Sequence, residues 1–445
     1  MSMNSELSVT FSQALMQREL PNDVVDAARF AIVDWFGVAI GADGQKPVEA
    51  LKRAISRWQS TGKSHILLDG FAGAAPAALA NGMMAHCLDF DDTHVRSIAH
   101  LSGPIFAASL AVGGEAGADP ATITKAFVAG FEVGGRIGGG GFGVAVSERH
   151  IHSTGVCGCI GAAVAAGLLY GLDPARMKRA IGLAATQAAG LTGSFGTPAK
   201  PFHAGKAAMN GVLAAQMAAE GFEAGLDLIE RGGGLDRAFV QNRSTQMHQF
   251  DFEEGWELTR NTYKPYASCL LTHPIIDAAR KLSDGADVPA IEAIKVSVHP
   301  LAIQLAGIPN PQTPFEGKFS LAFCVALALS GRTASQLDFT AETVSDITLR
   351  NLLQRVSLSP DPGIDKRGGE VTVTYADGRQ RSERTAIALG NPENPMTWQD
   401  LERKFLSLVE PVIGDEAKSL FDMLTSFDRQ PRLDGIIGKT MRRLQ

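Results

Sequence analysis

Aromatic residues are scarce in this sequence, at 7%, and no apolar run reaches the length of a membrane-spanning helix. The longest runs, such as 160–169, are broken by glycine and belong in a protein core. The opening Met1-Ser2-Met3-Asn4-Ser5-Glu6 has neither a basic nor an apolar stretch, so no signal peptide is expected. An excess of positive charge is also missing. The net charge is −6, without a lysine-rich tail, which argues against a nucleic-acid partner. The five cysteines, at 87, 157, 159, 269 and 324, never show the C-x-x-C spacing of a zinc or redox motif. Buried free thiols in a reducing, cytoplasmic setting are the expectation. A G-x-S-x-G elbow is absent, which removes the usual serine hydrolase. Gly134-Gly135-Arg136-Ile137-Gly138-Gly139-Gly140-Gly141 lacks a preceding strand and a Gly-Lys-Ser/Thr ending, so it reads as a flexible loop between helices.

What is abundant is small. Forty-eight glycines and many alanines let helix axes approach closely, which suits stacked, buried helices. The 45% apolar and 20% charged shares are those of a soluble globular protein, and 445 residues imply two domains or three. Residues 6–60 keep helical spacing, with Leu20-Pro21-Asn22-Asp23 as a start signal. From 72 to 232 helix follows helix, and Asp119-Pro120 and Asp173-Pro174 each read as an N-cap with a first-turn proline. Ile291 to His299 alternates with period two, and 370–375 with 381–387 reads as a hairpin around Asp377-Gly378. Between these, 316–330 and 334–356 look helical, and 397–445 returns to helix. The expected fold is mainly α: an all-helical domain, 1–265 with 396–445, and a smaller α+β domain, 266–395.

Chemistry concentrates in four short blocks. His86-Cys87-Leu88-Asp89-Phe90-Asp91-Asp92-Thr93-His94, with His100, places three carboxylates and three imidazoles in fifteen positions. The others are Arg149 to Gly155, Lys200-Pro201-Phe202-His203-Ala204-Gly205-Lys206, and Lys264-Pro265-Tyr266-Ala267-Ser268-Cys269 running on to His273. Seven of the ten histidines fall in these blocks, which points to one composite site. The first block can be read as a magnesium or manganese site, as a polar network holding a substrate, or as a solvated loop. Adjacent Asp91 and Asp92 diverge along a regular backbone, which weakens the metal reading and favours the network. Ser153 or Thr154 can cap a helix over 157–170, offering a carboxylate a seat beside His152 and Arg149. Equally, the serine and threonine only cap and the histidines are surface residues. Lys200 and its basic neighbours lead into a helix over 206–221, and a lysine among cations can act as a base. A solvated basic loop is the plainer alternative.

In their order and separation, the four blocks resemble the MmgE/PrpD family, whose members include 2-methylcitrate dehydratases, cis-aconitate decarboxylases and an iminodisuccinate epimerase. The resemblance spans essentially the whole chain. Its most specific marks are Asp89 to His94 with His100 and Ser102-Gly103, and Lys200-Pro201-Phe202-His203. Lys264-Pro265-Tyr266, Thr272-His273-Pro274 and Lys318-Phe319-Ser320 add to it.

The resemblance implies a homodimer that needs no metal or organic cofactor. It also implies a pocket between two domains lined by Asp89, Thr93, His100, His152, Lys200 and Lys264, with Cys269 as a further pocket position. Two departures stand out: Leu101 where the family often has proline, and Phe323 where it often has tyrosine. The shared chemistry is proton transfer next to a carboxylate of a di- or tricarboxylic acid, by a lyase or an isomerase. On this reading His152, Lys200, His100 and Asp89 are catalytic, and Thr93, Lys264, Cys269, Phe323 and His203 bind substrate. His152 or Lys200 is the base. A 2-methylcitrate dehydratase-like reaction comes first, ahead of an epimerase or a cis-aconitate decarboxylase-like enzyme. A non-catalytic polycarboxylate-binding protein is the competing class.

Overall fold

The computed structural model describes residues 4–230, 233–240, 253–283 and 288–441. The chain divides into two compact units, Met1–Thr262 with Trp398–Gln445, and Tyr263–Thr397. It is mainly α with a smaller α+β region. Among the described residues no helix is long and apolar enough to cross a membrane.

The first unit opens with helices α1 (Asn4–Met16), α2 (Asn22–Gly41) and α3 (Lys46–Ser56), then a two-stranded ribbon, β1 (Ser64–Ile66) and β2 (Gly70–Ala72). A stack follows: α4 (Ala74–Cys87), α5 (Ser102–Ala116), α6 (Pro120–Gly139), α7 (Phe142–Glu148), α8 (Ser153–Leu169), α9 (Pro174–Gln187), α10 (Ala199–Ala219) and the short α11 (Leu235–Phe239). Asp119 and Asp173 cap α6 and α9 by accepting from the backbone N–H of Thr122 and Arg176. From Ser153 to Gly167 every residue of α8 is buried, so it is a central helix with no solvent stripe. Small residues make that packing achievable. A Cβ on Gly205 of α10 would lie 2.4 Å from the Leu79 carbonyl of α4, so the two helices touch backbone to backbone.

The glycine run 134–141 is not a loop over most of its length. Helix α6 continues to Gly139, because these glycines let neighbouring backbone approach; a Cβ on Gly134 would meet the Cys157 carbonyl at 2.9 Å. Arg136 is fully buried there, paired with Glu132 and Glu254 at 3.1 Å each.

The second unit carries α12 (His273–Ser283), β3 (Ile291–Val298), α13 (Pro300–Ala306), α14 (Pro314–Gly317), α15 (Leu321–Leu329), α16 (Ala341–Ser345), α17 (Ile347–Leu353), β4 (Val356–Pro360), β5 (Gly369–Tyr375) and β6 (Gln380–Thr385). The sheet order is β4-β3-β5-β6, with β3/β4 parallel and the other pairs antiparallel. Val296 faces Val371, and Val371, Val373 and Tyr375 alternate inward along β5. The stretch 334–356, expected to be helical, holds two short helices, because Thr340 and Asp346 each start a new helix by capping it, and its last residue, Val356, opens β4. The edge strand β4 carried no alternation strong enough to be seen beforehand.

The chain then returns to the first unit with α18 (Trp398–Ile413), α19 (Glu416–Leu424) and α20 (Asp434–Lys439). Lys404 of α18 is nearly buried and donates to Asp34 Oδ1 of α2 at 2.6 Å and to the Phe90 carbonyl at 2.7 Å. The C-terminal helices thereby brace the segment just after α4.

Candidate functional site

Helix α4 ends at Cys87, and Asp89 takes a left-handed backbone, φ 52°, that turns the chain sharply. A side chain at positive φ other than glycine or asparagine is uncommon, and here it is held on both sides. Lys404 grips the Phe90 carbonyl, and Lys200 Nζ meets Asp89 Oδ1 at 2.5 Å. The segment up to α5 is fixed by a two-residue bridge between Thr93 and Thr262, whose N–H groups donate reciprocally at 2.7 and 3.0 Å. It is also fixed by His94, whose Nε2 lies 2.8 Å from Glu257 Oε2. Burial works against ionising Glu257, but the hydrogen bond with His94 and the nearby Arg96 and Arg260 pull its carboxyl down to about 2.

Asp91 and Asp92 diverge. Asp91 presents both oxygens to His86 Nδ1 at 2.9 Å and lies 3.4 Å from His100 Nδ1. Asp92 instead accepts from the Ser102 hydroxyl and the Asn261 amide. Burial, and then the charge of Asp91, push the Asp92 carboxyl up to about 7 against those two hydrogen bonds. None of these groups is solvated, so the loop reading of the first block is excluded.

His100 sits at the centre. Its backbone N–H donates to Thr154 Oγ1 at 2.9 Å, its Nδ1 donates to the Asp92 carbonyl at 2.7 Å, and Thr93 Oγ1 is 3.4 Å away. Its ring centroid is 4.3 Å from that of His86 and 6.2 Å from that of His152. Thus Thr154 is used by His100, and Ser153 Oγ donates to the Ser97 carbonyl at 2.6 Å. Neither caps α8. The N-cap is His152 itself, without a side-chain cap bond, and the helix begins four residues earlier than expected.

His152 Nδ1 lies 3.2 Å from His203 Nδ1, and its ring abuts Phe195 at 5.0 Å between centroids. Burial first, and then the charge of Lys200, hold the His152 imidazole well below its ordinary value. His203 is lowered for the same two reasons. Lys200 is in the first turn of α10 rather than in a loop before it, and its Nζ lies 5.3 Å from the Phe195 ring centre.

Asp89, Thr93, His100, His152, Lys200 and His203 therefore meet in the first unit, joined by His86 and Asp91, which the sequence placed in the first block without a catalytic or binding role, and by Phe195. His86 carried a signal, being the first residue of the densest block. Phe195 and Lys404 carried none. Lys264, Cys269 and Phe323 belong to the second unit. Lys264 is buried, Cys269 is half-buried with its N–H on the Lys318 carbonyl at 2.9 Å, and Phe323 is a core residue of α15 with its ring 6.1 Å from that of Phe339. Among the described residues two overlapping sets offer metal-ligand geometry: His86, His100 and His152, and His86, Asp89 and Asp91. In each, one ligand atom per residue lies within 4.8 Å of the others.

Comparison with known proteins matches residues 9–248 to the MmgE/PrpD N-terminal domain and residues 266–428 to the MmgE/PrpD C-terminal domain. A cis-aconitate decarboxylase of Aspergillus terreus is 27% identical over 448 residues, covering 92% of this chain and 90% of the relative. Those of Mus musculus and Homo sapiens are 26% and 25% identical, each over 79% of this chain and over 75% and 76% of the relative.

Proposed function

The chain belongs to the MmgE/PrpD family, and from that premise we propose that it is a metal-independent lyase acting on a tricarboxylic acid by proton transfer next to a carboxylate. The observation that carries this is a buried imidazole, His152, held well below its ordinary value by burial and by Lys200, which is itself buried and already aimed by Asp89. A neutral imidazole accepts a proton at pH 7, whereas an ammonium in an ion pair serves as a fixed cation. His152 is therefore the base, and Lys200 stabilises the charge that develops on the substrate carboxylate. His100, oriented by the Asp92 carbonyl and by Thr93, supplies or receives the second proton.

The names of the relatives make cis-aconitate the first substrate to test. In such a decarboxylation the bond to the leaving carboxylate breaks, its electron pair spreads over the adjoining alkene and carboxylate, and His100 delivers to carbon a proton that is replaced from solvent. A 2-methylcitrate dehydratase-like elimination uses the same groups, with a hydroxyl as leaving group. A second reading is an epimerase, favoured by the nearness of His100 and His152, which would give a base on either face.

The test incubates the protein, taken as a cytoplasmic homodimer, with cis-aconitate, 2-methylcitrate and iminodisuccinate-like diacids in heavy water, read by NMR. Loss of carbon dioxide with one deuteron placed at carbon, or loss of water to give an alkene, supports the lyase. Deuterium exchange with inverted configuration supports the epimerase. Binding without exchange or conversion in any of them would overturn both and leave a polycarboxylate-binding protein.

A further inference from the structure

The three histidines at the centre of the site share one trait beyond proximity. Each has its Nδ1 committed to a neighbour: His86 to the Asp91 carboxylate at 2.9 Å, His100 to the Asp92 carbonyl at 2.7 Å, and His152 to His203 at 3.2 Å. His86 and His100, with a carboxylate and a carbonyl behind the ring, are anchored as protein zinc sites anchor their histidines to fix ring orientation and tautomer, and His152 leans on a second imidazole instead. One ligand atom from each ring falls within 4.8 Å of the others, and all three side chains are buried. Two carboxylates, Asp89 and Asp91, also share ligand distance with His86, and Asp89 pairs with Lys200 as well, so the site offers a divalent cation anionic partners.

We propose that His86, His100 and His152 form a binding site for a borderline-soft divalent cation such as zinc, and that the bound ion inhibits the enzyme. The binding needs only this geometry; the inhibition rests on the proton-transfer reading of the same imidazoles. Zinc at about 2.1 Å from each nitrogen puts tetrahedral ligands about 3.4 Å apart, so the rings close by roughly an ångström on the ion. Binding takes the lone pairs that proton transfer would use, and it places a dication where Lys200 is meant to be the dominant charge. Asp91 is a positioning residue for this site, acting through His86.

The experiment uses tag-free protein stripped over a chelating resin. Zinc is titrated against a chromophoric chelator, and cobalt(II) is added separately while its visible absorption is followed. One equivalent is expected to bind, with the intense cobalt band of a low-coordinate, nitrogen-ligated ion. His86→Asn and His100→Asn should each weaken zinc binding by about 100-fold, and Asp91→Asn by about 10-fold, as the loss of an outer partner does. Lys200→Met should leave zinc affinity equal or tighter, since it removes the opposing charge. Affinity unchanged in both histidine variants, or wild-type protein without a saturable one-equivalent phase or a cobalt band, overturns the site. The wild-type spectrum decides even where a variant fails to fold.

Turnover is measured separately at buffered free zinc, because tricarboxylates chelate the ion. Loss of activity restored by EDTA is expected, and full activity with zinc bound overturns the inhibitory half. A protein that turns over substrate but binds no zinc loses this site and keeps the proposed reaction. One that binds zinc but converts nothing keeps the site and loses the reaction.

Discussion

Lys200 Nζ lies 2.5 Å from Asp89 Oδ1, and both side chains are almost wholly withdrawn from solvent, so the two ends of a 111-residue span meet as a buried ion pair. Such a pair is costly to break on one side, since a buried charge then loses its partner. Lys200→Met should therefore lower stability by about 3 kcal/mol as well as activity. Asp89→Asn/Lys200→Met should regain much of that stability and none of the activity. Denaturant melts beside steady-state kinetics separate the two effects, and a double variant as active as the parent would remove the pair from catalysis.

His152→Gln should lower kcat/KM by on the order of 100-fold, the range of a positioned acid–base group. The side chain is a buried N-cap next to His203 and Phe195, so the variant has to be shown folded by circular dichroism before its rate is read. Near-normal turnover in a folded variant would assign the base elsewhere.

Among the groups that make stability depend on pH, two at the site act in opposite directions. The folded chain holds His152 well below its ordinary value of 6.5, so below about that pH the unfolded chain gains a proton the folded chain refuses, and stability falls as pH drops. Asp92 behaves the other way. Its folded carboxyl titrates at about 7 against 3.8 when unfolded, so its term weakens as pH rises through that window. Denaturant melts from pH 4.5 to 8 should show the acid-side loss reduced in His152→Gln and the alkaline-side loss reduced in Asp92→Asn, the remainder coming from other buried groups such as His203 and Glu132. Identical pH profiles in all three proteins would contradict both assignments.

Exhaustive chelation should leave turnover intact or raise it. Asp91 and Asp92 are engaged with different partners and do not converge on one ion, and the proposed reaction calls for no metal. Abolition by EDTA with recovery on adding magnesium or manganese would defeat this expectation.

Gly155→Ala should be among the most damaging single changes near the site. A Cβ there would sit 1.9 Å from the Ala189 carbonyl, next to Gly190, whose own carbonyl accepts the His152 N–H at 2.8 Å. The loop must move, carrying away the His152 backbone contact, and a loss of more than about 2 kcal/mol with severely reduced activity is expected. Thermal melts and kinetics check both.

Phe323→Tyr tests the departure at that position. The ring is buried in α15 against Phe339, with Gly317 close by, so the added hydroxyl should cost about 1–3 kcal/mol and leave product ratios unchanged. A several-fold shift between proton exchange and elimination or decarboxylation would give the position the selective role that the resemblance implies.

The parts of the fold that were legible in the sequence are those with local causes. Asp119 and Asp173 announce helix starts because their side chains bond within their own first turn, and β3 and the β5–β6 hairpin show their period directly. Gly134 to Gly139 misled because a glycine that admits a neighbouring helix looks, in one dimension, like a glycine that frees a loop. Strand β4 escaped as a short edge strand ending in Pro360. At the site, the density of histidine and aspartate marked the right segments. Which hydroxyl serves which imidazole was not readable, because Thr154 and His100, like Lys404 and Asp34, meet only in three dimensions.

The grip of Lys404 on the Phe90 carbonyl has a consequence for synthesis. The turn that carries Asp89 is translated early, but the side chain that braces it comes from α18, after the entire second unit. That brace can form only once nearly the whole polypeptide has been made, so in a nascent chain stalled before α18 the turn would rest on Lys200 and the Thr93–Thr262 bridge.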